Sequence, residues 1–202
     1  MTIRKSMWKK FFLQFALVYF IFAPPPVYTR ENQFEQFGDT FRLLPLYVMV
    51  VSLAMEDYEG MGQLALGTLS TQLVTEGIKW GFDTAHKNGN SVAFAKRPCC
   101  EDWKGMPSGH SSAAFSAAGY VYYRYGWKPA IPVGILAVLT AASRVEAKKH
   151  SFLQVSAGAL IAWGFSYVFT NKYMPKNTMI MPSVDTDMQG NPSLSLNVRY
   201  SF

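Results

Sequence analysis

Cysteine is almost absent, and its placement restricts the reading as much as its scarcity does. The chain has two, Cys99 and Cys100, side by side. Adjacent cysteines supply neither a disulfide framework nor the spaced ligand pairs of a zinc site. They read as two loop residues. Charge is scarce as well: 16% of the 202 residues are charged, against 50% hydrophobic. That balance fits a helical membrane protein with polar faces, or a soluble helical domain with an unusually apolar composition. The net charge of +6 suits anionic lipid, a phosphorylated substrate or nucleic acid. No Lys/Arg-dense helix or platform of stacking aromatics is present, which argues against nucleic acid. The length supports one domain with its own core.

The N-terminus, "MTIRKSMWKKFFLQFALVYFIFAPPPVYTR", has a basic start followed by an apolar run from Phe11 to Ala23. It is either a secretory signal or an uncleaved anchor. The anchor is favoured, because Ile21 and Ala23 make a poor cleavage pair and Pro24 would follow the cut. Arg4, Lys5, Lys9 and Lys10 would then stay cytoplasmic by the positive-inside rule.

A polar stretch, "VYTRENQFEQFGDTF", follows the prolines and reads as a linker. Further helical runs are expected at Leu43–Met55, Met61–Phe82, Ser111–Tyr125, Ile131–Ala142 and Phe152–Thr170, with a long loop from Asp83 to Met106. A loop of that length inside a compact domain is usually functional or disordered. Several runs are shorter than the ~20 residues that cross a bilayer, but small residues recur in three of them and permit close packing in a membrane bundle. With the N-terminus inside, the loops carrying Arg97 and Arg144 lie together outside the cytoplasm. Asp57 and Glu59 fall at the opposite mouth and read as solvated turn residues. The tail "SLSLNVRYSF" alternates apolar and polar residues as a strand does, and "TMIMPSV" can pair with it across "DMQGNP".

The chemistry concentrates in three places. Of the three histidines, His110 ends "PSGH" and His150 ends "SRVEAKKH", each just before an apolar helix. A helix N-terminus offers free backbone N–H groups and a partial positive charge, which suits an anion. Gly109 lets backbone approach a ligand closely, and Ser108 adds a hydroxyl. Arg97 and Arg144 can clamp a phosphate through paired donors, and Lys79 adds a point charge. Together these are the parts of a phosphate-transfer site that needs no metal.

"KRP", "PSGH" and "SRVEAKKH", in that order, resemble the three-part signature of the type 2 phosphatidic-acid phosphatase superfamily, which also contains bacterial acid phosphatases and vanadium haloperoxidases. The resemblance covers about Gly38 to Tyr173. It implies a nucleophilic role for His150, through a phosphohistidine, and a general-acid role for His110. It implies that Arg97, Ser108, Gly109, Arg144 and a lysine hold the phosphoryl oxygens, with no metal or other cofactor.

Two positions depart from the signature. Where its first motif has a lysine, seven residues before the arginine, this chain has Asn90; Lys79 is the candidate replacement, with Lys87 and Lys96 as rivals. Where the family places an aspartate four residues after the nucleophile, this chain has Gln154. A glutamine carbonyl still accepts the imidazole N–H and holds the tautomer, but it brings no charge. On this reading Gln154→Asp should match or exceed the wild type.

The sequence thus predicts an all-α, six-helix, mostly transmembrane bundle with a short C-terminal tail resembling a β-hairpin. Residues 1–37 form the anchor or signal and linker, 38–173 the phosphatase core, and 174–202 an extramembrane tail. The expected protein sits in the inner membrane with several spans and a periplasmic site. It would hydrolyse a phosphate monoester or pyrophosphate on a membrane lipid. The alternatives are an exported soluble acid phosphatase and a member that binds lipid phosphate without turnover. Oligomeric state is not readable from the sequence.

Overall fold

The structure, a computed structural model, describes residues 33–174 and the backbone of 178–186 and 192–200. The apolar run Phe11–Ala23, read above as an anchor or signal, lies outside the described residues. The chain divides after Lys172 into a helical unit and a second unit starting at Tyr173.

Six α-helices make up the described part of the helical unit. The first, α1 (Gln33–Phe41), corrects the reading of this stretch as linker. Phe34, Phe37 and Phe41 recur at helical spacing and their rings pack in sequence, Phe37 against Phe41 at 4.4 Å between centroids. Next comes α2 (Leu44–Ala54), set at 47° to α1. In α3 (Tyr58–Lys87), the Asp57 carboxylate caps the start by accepting the Gly60 N–H at 3.0 Å. This helix runs past its expected end at Phe82, and Asp83 and Lys87 pair at 2.7 Å across the added turn. The following loop is correspondingly shorter, with one 3-10 turn at Ala93–Ala95. Cys99 and Cys100 lie side by side on that loop, as read from the sequence.

The fourth helix, α4 (Gly109–Tyr125), is the centre of the bundle: 11 of its 17 residues are buried, so its many serines and alanines face protein. Then α5 (Trp127–Glu146) starts before the expected Ile131. Pro129 lies in its first turn, where a backbone N–H would have no partner in the helix anyway. Finally α6 (Phe152–Phe169) opens with a capping box between Ser151 and Gln154. In the second unit, the backbones of β1 (Thr178–Thr186) and β2 (Pro192–Tyr200) run antiparallel, with Ile180 opposite Val198.

Interior and exterior divide unusually. Ser52, Thr71, Thr75, Ser111 and Thr140 are fully buried, whereas Leu73 and Leu160 are each 74% exposed, with Leu66, Leu69 and Ile135 also turned outward. Two described helices, α5 and α6, are long and apolar enough to cross a membrane, and the bent pair α1–α2 makes a third if it acts as one span. The expected predominance of spanning helices therefore narrows to these.

Asp57 is not a solvated turn residue. It is 3% exposed and takes hydrogen bonds from Arg124 Nε at 2.8 Å, Arg124 Nη2 at 2.5 Å and the Tyr125 hydroxyl at 2.7 Å. Arg124 also donates to the Asn171 carbonyl at 3.0 Å. One buried ion pair thus ties the start of α3 to the ends of α4 and α6. Glu59, whose side chain is 69% exposed, fits the solvated reading.

Candidate active site

The end of the bundle away from Asp57 is built from the last turns of α3 and α5, the first turns of α4 and α6, and the loop between α3 and α4. A cavity of about 510 Å³ opens there, lined among others by Lys79, Arg97, Gly109, His110, Arg144 and His150. Residues from three separate sequence motifs therefore face one space.

His150 sits on the turn between α5 and α6. Its backbone N–H and that of Lys149 both donate to the Arg144 carbonyl, at 3.1 and 3.0 Å. This fixes the histidine relative to the arginine. The ring is 4% exposed. Its Nδ1 lies 2.8 Å from the Gly105 carbonyl oxygen and 3.2 Å from Gln154 Oε1. Both partners are acceptors, so Nδ1 carries the proton and Nε2 keeps its lone pair. Burial, reinforced by the Arg97 and Lys79 cations, pushes the imidazole pKa down to about 4, against the pull of Gly105 and Gln154. The ring is neutral at pH 7, as a nitrogen nucleophile must be.

Gln154 is fully buried and uses both ends of its amide. Oε1 accepts from His150 and from the Ser151 N–H at 3.1 Å; Nε2 donates to the carbonyls of Phe94 at 3.0 Å and Lys96 at 2.8 Å. Those carbonyls belong to the segment leading into Arg97. The glutamine therefore holds the imidazole with one end and the arginine-bearing loop with the other. An aspartate has no N–H to give those carbonyls, so the structure reverses the expectation that Gln154→Asp is neutral or beneficial.

The "PSGH" segment is strapped to α6. Ser108 N–H donates to the Gln154 carbonyl at 2.9 Å, and Ser111 Oγ donates to the Val155 carbonyl at 2.7 Å. Close approach depends on Gly158, where a Cβ would stand 2.6 Å from the Ser108 carbonyl oxygen. Gly158→Ala is expected to cost about 1–3 kcal/mol through overpacking, measured as a lower thermal midpoint, and to lower turnover by shifting this segment. The Ser108 hydroxyl is fully buried and has no protein partner; Ser108 lies behind the cavity wall rather than in it. Gly109 opens α4 beside Lys79, whose Nζ would lie 3.0 Å from a Cβ added there.

Among the three candidate lysines, Lys79 alone lines the cavity; it is 8% exposed and pairs with Glu76 at 2.5 Å. Lys87 pairs with Asp83, and Lys96 with Glu101 while lying over the Trp103 ring. Arg97 is set by an ion pair with Asp102 at 2.9 Å. Arg144 is 2% exposed and donates to the Glu35 carbonyl at 2.5 Å and to Asp39 Oδ1 at 3.1 Å. His110 Nε2 lies 2.8 Å from the same Asp39 oxygen.

Every residue named from the motifs is thus at or directly behind one cavity. Sequence reading missed Asp39 and Gly105. For Asp39 the signal was the spacing of phenylalanines that makes α1 a helix. Gly105 contributes only a backbone carbonyl, which every residue possesses, so no signal existed.

Two phosphatases are similar to this chain over most of its length. A lipid A 4'-phosphatase of Helicobacter pylori is 52% identical over 96% of this chain and 98% of its own length. A lipid A 1-phosphatase of the same species is 27% identical over 77% of this chain and 83% of its own length. No solved structure matches. Residues 60–178, which contain all three motifs, match the PAP2 superfamily model, and with a relative this similar along nearly the full length the chain belongs to that superfamily.

Proposed function

We propose that this chain is a lipid phosphatase that removes a phosphate monoester, with the 4'-phosphate of lipid A as its preferred substrate. The observation that carries the chemistry is the neutral His150, protonated on Nδ1 by its partners, in a cavity shared with Lys79, Arg97 and Arg144. The 52% identity to a lipid A 4'-phosphatase supports the choice of lipid.

In this mechanism Nε2 of His150 attacks phosphorus, and His110 gives a proton to the departing oxygen. Water then attacks the phosphohistidine while His110 takes a proton back. Arg97, Arg144, Lys79 and the N–H groups at the start of α4 hold the phosphoryl oxygens as negative charge builds. No step requires a metal.

The outward leucines of α3 and the apolar faces of α5 and α6 support a multi-pass protein of the inner membrane. Basic residues at the N-terminus support a periplasmic site, and the C-terminal strands would form a hairpin outside the bilayer. The test is phosphate release from a panel of lipid phosphates, lipid A among them, by detergent-purified protein in excess chelator. Release from lipid A above the other lipids supports the proposal. Release only from small soluble phosphomonoesters, or none at all, overturns it.

Lys79→Met is expected to lower kcat/KM by about ten-fold or more, the size of a lost hydrogen bond to a charged group. Lys87→Met and Lys96→Met should remain within about two-fold, since neither lines the cavity. Equal losses in all three would show that Lys79 is not the phosphate ligand.

A further inference from the structure

Asp39 lies before the segment that matches the superfamily, on a helix no motif reaches, yet its carboxylate joins two groups of the site. Oδ1 lies 2.8 Å from His110 Nε2 and 3.1 Å from Arg144 Nη1. Helix α1 is fastened in place around it: the Glu35 carbonyl accepts from Arg144, and the Glu35 carboxylate pairs with Lys149. Gly38, next to Asp39, packs so closely on α5 that a Cβ would stand 1.9 Å from Ser143 Oγ. The carboxylate is therefore presented by a docked helix.

We propose that Asp39 is the positioning carboxylate of the general acid: it favours the protonated form of His110 against its surroundings, with Nε2–H directed to Asp39 and Nδ1–H available for the leaving oxygen. The role of His110 rests on the function proposed above. When the P–O bond breaks and phosphorus bonds to His150 Nε2, the leaving oxygen keeps the electron pair and takes the Nδ1 proton. His110 is then neutral, with Nε2–H still on Asp39.

The electrostatics around His110 give Asp39 this task. Burial disfavours the charged ring, and so do Arg144 on α5 and Arg42 between α1 and α2; Asp39 opposes them by hydrogen bond and by charge, and the net effect is a lowered pKa. From α3 the cavity receives a paired lysine and carboxylate, Lys79 and Glu76. Arg97, Lys149 and a neutral His150 complete the charged and titratable groups there. No other carboxylate is hydrogen-bonded to His110 among the described residues. With Gln154 behind the nucleophile instead of an acid, the carboxylate paired with a catalytic histidine stands at the acid, not at the nucleophile.

The chain has three histidines, so their imidazole resonances can be assigned by single substitution and titrated by NMR in detergent. Asp39→Asn should lower the His110 midpoint by about one pH unit, the size expected when an adjacent opposite charge is lost. Asp39→Glu should restore most of it. His86, stacked on Trp103, should not move. The alkaline limb of kcat for lipid phosphate release should shift down by the same amount, because the acid must be protonated. An unchanged His110 midpoint in Asp39→Asn overturns the proposal, as does a shifted midpoint with an unshifted alkaline limb. If the wild type releases no phosphate, the proposed function fails and the catalytic role of Asp39 with it, while the titration still decides the pairing.

Discussion

Replacing His150 by alanine should lower turnover by more than about 10⁴-fold, the scale of removing a covalent nucleophile from an otherwise intact site. The remaining cations would still bind phosphate, so substrate affinity should change far less than kcat. Wild-type protein quenched during turnover should carry labelled phosphate on histidine, and His150→Ala should carry none. The same residue sets an acid limb. Its folded pKa is about 4, so kcat/KM should rise as pH increases through that value and stop depending on His150 well before neutrality. The linkage to stability has the same sign. Between about 4 and the ordinary histidine range the unfolded chain binds the extra proton, so the stabilising contribution is full at neutral pH and is lost as pH falls through about 4. Retention of full activity by His150→Ala would eliminate the phosphohistidine route.

The second large effect is expected at Gln154. In Gln154→Asp the shortened side chain cannot donate to the carbonyls of Phe94 and Lys96, which Nε2 now reaches at 3.0 and 2.8 Å. Each buried acceptor left without a partner costs about 1–3 kcal/mol, and a carboxylate facing them adds repulsion. The expected loss is several kcal/mol in thermal stability together with at least about a ten-fold fall in turnover, because Arg97 follows the loop. Gln154→Glu separates the causes: it keeps the side-chain length and the acceptor for His150 and Ser151 but removes both donors. It should be destabilised nearly as much as the aspartate variant. A glutamate variant as stable as wild type, or an aspartate variant that matches wild-type activity, would show that the loop contacts do not matter.

The helical class and the phosphate chemistry were legible because they rest on side chains at fixed spacings. "PSGH", "KRP" and "SRVEAKKH" name groups whose donors and charges suit one ligand, and the fold brings all of them to one cavity. Other features were hidden for physical reasons. Helix α1 was obscured by its polar residues, which face the site and Lys149 rather than solvent alone. The end of α3 was placed too early because "DTAHK" has no apolar stripe; its added turn is marked instead by the Asp83–Lys87 pair. Asp57 read as a surface residue because its partner Arg124 is 67 positions away, and no local pattern announces such a pair. Gln154 lies beside His150, where the motif spacing puts it, but its second pair of hydrogen bonds runs to backbone that sequence cannot position.

The length of α3 has a further consequence. At about 1.5 Å per residue the stretch from Tyr58, beside the Asp57–Arg124 lock, to Lys79 is about 32 Å long, close to the roughly 30 Å hydrocarbon thickness of a bilayer. With the neighbouring α6 crossing the bilayer as proposed, the locked end and the cavity end would lie at opposite faces of the membrane, with reaction possible at only one. In that proposed placement the enzyme would reach lipid phosphate in one leaflet only. Lipid phosphate in the other leaflet would have to be flipped across before it could react.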